Sequence, residues 1–116
     1  MAVLKQFKVF YAFQESGRQV PADAPVEMLE ADIYSELLGE FERDRDFIGL
    51  IDSAGVTLQV LYEADHDQYW VELPEPAMSG SHGRYFSFDE LADLLRNLPE
   101  CFTISAFPGL EFQSWA

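Results

Sequence analysis

Residues 3–14 read VLKQFKVFYAFQ, with Val3, Phe7, Val9, Tyr11 and Phe13 on alternating positions. A period of two is the signature of a strand. Leu4 and Phe10 point the other way, so this strand is expected to be covered on both sides. Residues 15–25 (ESGRQVPADAP) are rich in turn formers and predict a loop. Residues 26–29 suit either a short edge strand or the start of a helix. Over 30–43 the period changes: Ile33, Tyr34, Leu37, Leu38 and Phe41 recur at spacings of three and four and share one helical face. Asp32 suits the positive end of that helix, and Arg43 and Arg45 its negative end. Gly39 weakens the helix by about 1 kcal/mol relative to Ala and is expected to mark a close helix–sheet approach.

A β-meander follows. Residues 47–51 read as a strand, and Asp52, Ser53, Ala54 and Gly55 as a hairpin loop. Val56, Leu58, Val60 and Tyr62 alternate with polar or opposite-facing positions. Residues 63–67 (EADHD) turn the chain, and 68–73 (QYWVEL) return it until Pro74 and Pro76. Residues 78–83 (MSGSHG) look the most flexible, with a short strand over 84–86. The second helix has the clearest start signal: Ser87 as N-cap with Glu90 three residues on, a capping box. Phe88, Leu91, Leu94, Leu95 and Leu98 form its apolar stripe, and Pro99 stops it. Residues 101–106 (CFTISA) read as a final strand, and 107–116 as an aromatic tail expected to dock over the sheet edge. The expected fold class is α+β: a mostly antiparallel sheet of about five strands, with a central meander and two helices packed on one face.

The length of 116 residues fits a single domain over 1–116, and 48% hydrophobic and 15% aromatic content are enough for a packed core. Charge is the outlier. Seven Lys and Arg stand against 21 Asp and Glu, a formal net charge of -14. That balance opposes binding of nucleic acid, whose phosphates need Lys and Arg, and of anionic membrane surfaces. It permits a basic protein partner or divalent cations. Cys101 is the one cysteine, which fits a reducing, cytoplasmic compartment. Lys5 and Lys8 interrupt the first apolar run, so no secretory leader is expected.

Two groups of carboxylates stand out. Asp32, Glu36 and Glu40 are spaced by four and predict an acidic stripe along the first helix, with Arg43 beside it. Such a stripe costs about 0.2–0.5 kcal/mol per like-charged pair, and reads either as a solvated face or as a docking face for Lys and Arg of a partner. Glu42, Asp44 and Asp46 continue it. The second group is the meander. Residues 46–83 contain no Lys or Arg, so Asp46, Asp52, Glu63, Asp65, Asp67, Glu72 and Glu75 are expected to stand unneutralised. Trp70 and Glu72 share strand parity and pair an aromatic anchor with a carboxylate, if their face is wet rather than core. The expected partner-binding residues are Asp32, Glu36, Glu40, Glu63, Asp65, Asp67, Trp70 and Glu72.

Enzymatic chemistry finds little support. Glu63, Asp65, His66 and Asp67 match no calcium-loop spacing, and a zinc site would want a second His or a Cys nearby. No cofactor or metal is expected. Ser79, Ser81 and His82 lie among glycines without the G-x-S-x-G elbow. Cys101 has no basic neighbour in sequence and reads as a small buried hydrophobe. The composition is like that of small acidic bacterial inhibitors and immunity proteins, which cover cationic sites of basic toxins. The expected function is thus a non-enzymatic interaction module, monomeric or homodimeric. The alternatives are a small-molecule-binding protein or enzyme with a pocket between sheet and helices, and a homodimeric structural subunit.

Overall fold

The computed structural model describes residues 5–115; Val3 and Leu4, expected in the first strand, lie outside them. Strand β1 (Gln6–Ala12) is followed by the short strands β2 (Gln19–Val20) and β3 (Val26–Leu29), then helix α1 (Glu30–Leu37). The meander comprises β4 (Phe47–Ile51), β5 (Thr57–Glu63), β6 (Gln68–Glu75) and β7 (Gly80–Phe86). Helix α2 (Phe88–Arg96) and strand β8 (Glu111–Ser114) complete the order.

The fold is α+β, as the pattern implies, but the sheet has eight strands rather than about five, and every pairing is antiparallel. The order is β2-β1-β4-β5-β6-β7-β8, with β3 also against β1. Strands β2 and β3 share one edge of β1: Val20 and Gln19 face Tyr11 and Ala12, while residues 26–29 face residues 9–6. Residues 26–29 are therefore an edge strand and not a helix start. Residues 78–83, expected to be the most flexible, instead begin at the end of a 3-10 turn (Pro76–Met78) and hold the first four residues of β7, of which Gly80, Ser81 and Gly83 are buried. The tail supplies β8. Residues 101–106 form no strand: the amide of Phe102 donates to Asp52 Oδ2 at 2.8 Å, and a 3-10 turn follows at Ile104–Ala106. Phe102 and Phe107 plug into the core from this irregular stretch. Cys101, immediately before Phe102, is exposed, contrary to its expected burial.

Both helices pack on one face of the sheet. Val9, Leu50 and Leu58 face one another across β1, β4 and β5, as do Tyr11, Ile48, Val60 and Val71 from β1 to β6. These side chains join Ile33 and Leu37 of α1 and Leu91 and Leu95 of α2 in one buried cluster. Phe88, expected in the buried stripe, is 50% exposed at the first position of α2. The capping box forms as expected: Ser87 Oγ accepts from the Glu90 amide at 3.2 Å, and Glu90 Oε1 accepts from the Ser87 amide at 3.0 Å. A polar clasp joins the layers. Lys5 Nζ donates to the Leu98 carbonyl at 2.7 Å, and the Leu98 amide donates to Glu30 Oε2 at 2.7 Å.

Helix α1 is shorter than its apolar period. It ends at Leu37 and runs into a 3-10 turn (Leu38–Glu40), because the next segment is held elsewhere. Asp46 Oδ2 accepts the amides of Glu42 and Arg43 at 3.0 and 2.9 Å, which takes those donors from any helical ladder. Gly39 is exposed, and a Cβ there would meet nothing within 4 Å. It marks no helix–sheet contact.

Candidate functional site

Half of the sheet carries no helix. On this outer face Ala12, Phe47, Leu61, Trp70 and Tyr85 lie in one row across β1, β4, β5, β6 and β7. The neighbouring row is Phe10, Gly49, Gln59, Glu72, Gly83 and Glu111. Phe10 is buried here without any covering layer, because its ring lies over Gly49, where a Cβ would overlap it, and meets Phe47 edge-on at 6.2 Å. The expected two-sided cover of β1 is thus supplied by the sheet's own side chains. Gly83 plays a similar part beside Trp70: a Cβ at Gly83 would stand 2.6 Å from the indole ring.

Trp70 is half-buried on this outer face, outside the helix-covered core. Its Nε1–H donates to Glu72 Oε2 at 2.6 Å, and Tyr85 meets its ring edge-on at 5.0 Å. The buried Ser81 hydroxyl donates to the same Glu72 oxygen at 2.9 Å. Tyr85, 44% exposed, places its hydroxyl 3.2 and 3.1 Å from the two oxygens of Glu63. Partial burial, then the hydrogen bond to Glu63 and its charge, raise the Tyr85 phenol above its ordinary pKa of 10.0. The phenol therefore stays a donor. Trp115, 54% exposed, follows β8 on the same face, held by its amide on the Ser79 carbonyl at 2.8 Å.

Two hollows flank the Trp70–Glu72 pair. One of about 260 Å³ is lined chiefly by Phe47, Gln59, Leu61, Trp70 and Glu72. The other, of about 380 Å³, is lined by Glu63, Trp70, Glu72, Ser81, Tyr85, Gln113 and Trp115. Trp70 and Glu72 line both and form the ridge between them. Strand parity puts Glu27, Glu63, Glu72 and Glu111 on this face, and Lys8 is the one basic side chain among the described strand residues there. Lys8 sits opposite Glu27 on β1, three strands from Trp70.

The remaining expected residues fall elsewhere. Asp32 and Glu36 lie on the outward side of α1, across the sheet from Trp70. Glu40 does not continue their stripe: it follows the end of the α-helix and binds Arg18 at 3.0 Å. Arg43 pairs with Glu15 at 2.5 Å and leaves the stripe unrelieved. Asp65 and Asp67 occupy the turn between β5 and β6, beside Glu63. Asp67 accepts the Tyr62 hydroxyl at 2.9 Å, which raises the Tyr62 phenol first through that bond. Nearby, Asp44 accepts the Ala64 amide at 3.0 Å. The helix and meander carboxylates therefore form two separate surfaces.

Three meander acids expected to stand unneutralised are engaged. Asp46 is fully buried and accepts amides from Gln14, Glu42 and Arg43. Burial alone would raise its pKa, but these hydrogen bonds together hold it below the ordinary carboxylate range. Asp52, also buried, accepts amides from Ala54, Val56 and Phe102 and so builds the hairpin loop. Glu75 Oε2 lies 2.5 Å from His82 Nδ1. Ser81 and His82 are adjacent on β7, so they project from opposite faces, and His82 stacks edge-on against Phe112 at 5.3 Å. That geometry makes no Ser–His pair. Among the described residues no three His, Cys, Asp or Glu side chains are grouped to hold a metal ion. No described helix is long and apolar enough to cross a membrane.

No family model, characterised protein or solved structure matches the chain, so its site stands on its own geometry. The sequence pattern singles out Glu63, Trp70 and Glu72 of this face but misses Phe47, Leu61, Ser81, Tyr85 and Gln113. The missing signal was register: extending the strand at 84–86 back to residue 80 puts Tyr85 opposite Trp70.

Proposed function

We propose that the chain is a non-enzymatic interaction module that takes a basic protein partner on the helix-free face of its sheet. One observation carries this reading: exposed Tyr85 and Trp115 and half-buried Trp70 line one hollow with Glu63 and Glu72, and Lys8, three strands away, is the one basic side chain among the described strand residues of that face. Aromatic side chains bring large contact area at low entropic cost, and unneutralised carboxylates select a cationic counterpart and speed its approach. Asp65 and Asp67 at the adjoining turn extend the negative field to the rim. Asp32 and Glu36, on the opposite side, add to the long-range field without touching the docked partner. A small inhibitor that covers a cationic site on another protein would use such a face, and a cytoplasmic setting fits the lone cysteine.

The test is affinity capture from the native lysate at low and high salt, followed by binding kinetics of the captured protein. Trp70→Ala and Glu63→Gln/Glu72→Gln are expected to raise the dissociation constant by about tenfold or more. Asp32→Lys/Glu36→Lys is expected to slow association at low salt, by up to about tenfold, and to leave dissociation unchanged. A captured partner without excess basic charge, or kinetics indifferent to the outer-face substitutions, would overturn the reading.

A further inference from the structure

The two hollows differ in chemistry, and the difference specifies what each accepts. The hollow over β5 is walled by Phe47, Leu61 and Trp70, and suits an aliphatic or aromatic side chain. The hollow over β7 combines the carboxylates of Glu63 and Glu72 with the rings of Tyr85 and Trp115. Glu72 is preset for a cation. Trp70 and the buried Ser81 both donate to its Oε2, which fixes the carboxylate and leaves Oε1 without a protein partner among the described residues. Tyr85 likewise steadies Glu63. A flat guanidinium can stack on an indole or phenol ring while its several N–H groups reach two carboxylates; an ammonium does this less well. Preset acceptors also reduce the ordering cost of binding.

We infer that the outer face recognises an arginine together with an apolar side chain two residues away on an extended segment of a basic protein, arginine over β7 and apolar group over β5. The inference rests on the docking face proposed above. The hollows are centred two strands apart, roughly 10 Å. Same-face side chains of an extended chain stand about 7 Å apart, and the long arginine stem spans the rest. The ridge of Trp70 and Glu72 between the hollows then fixes which side chain goes where.

Selection of short random peptides displayed on phage tests this, with the full-length protein as bait and Glu63→Gln/Glu72→Gln as counter-bait. Enriched sequences should pair Arg with an aliphatic or aromatic residue two positions away. Both tryptophans of the chain, Trp70 and Trp115, line the same hollow. Synthetic versions of the enriched peptides should therefore change the intrinsic fluorescence directly. Replacing the peptide arginine by Gln should weaken binding by about tenfold or more, with Lys intermediate. If the Gln pair of the counter-bait lowers the melting temperature, Tyr85→Ala and Trp115→Ala, both at largely exposed positions, take its place. Enriched peptides that use Lys and Arg alike, or that lack the apolar neighbour, overturn this inference and leave the basic-partner reading standing. Enriched peptides without positive charge, or none enriched over the counter-bait, overturn both.

Discussion

Asp46 and Glu72 are both meander carboxylates, and their surroundings give them opposite roles. Asp46 replaces missing backbone partners for the amides of Glu42 and Arg43, between α1 and β4, and of Gln14, just past β1. Asn at this position would turn an N–H toward those donors on one side. Asp46→Asn is expected to destabilise by about 2 kcal/mol at neutral pH, read by urea unfolding. The sign of the pH dependence follows from the lowered pKa. The carboxylate's stabilisation is fully present above its ordinary value of 3.8 and is lost as pH falls through that value towards the native one. The gap between variant and wild type should therefore narrow as unfolding is measured at progressively lower pH below about 4; a constant gap would count against the hydrogen-bond account. Composition gives all these acids equal weight. Only the fold separates Asp46 and Asp52, which accept amides, from Glu63 and Glu72, which face outward.

The elements with their own local signals were legible in the sequence. The start of α2 is specified by Ser87 and Glu90 within four residues, and both reciprocal bonds form. Ser87→Ala is expected to cost about 1 kcal/mol, measured as a shift of the thermal or urea midpoint. The end of α1 was not legible, because a side chain in the following loop, Asp46, decides it. Strand β7 was legible only in its last three residues. Its glycines read as a loop, yet Gly83 is a glycine because the Trp70 ring lies beside it, 2.6 Å from where a Cβ would stand. The short strands β2, β3 and β8 have too few residues to show a period, so the strand count was underestimated. Trp70 and Glu72 were seen to share a face, but their neighbours Tyr85 and Leu61 were not, because alternation within one strand does not give the register between strands.

At the scale of the whole molecule the formal charge of -14 opposes compaction. Added monovalent salt screens that repulsion, so the melting temperature is expected to rise between low and physiological ionic strength by about 5 °C, equivalent to roughly 1 kcal/mol. A flat or falling melting temperature would mean that local ion pairs such as Arg18–Glu40 outweigh the global repulsion. Charge imbalance was legible from composition alone, whereas its division between the outer face and α1 required the topology. The same topology governs the margins of the sheet. One margin is finished by two separate short strands on β1, and the other by a strand of four residues and by Arg84 donating to the Pro108 carbonyl beside the rest of β7. An incoming strand finds no long uninterrupted ladder at either side. Such margins oppose fibril growth by lateral zippering beside a face that carries two tryptophans, Trp115 exposed and Trp70 half-buried.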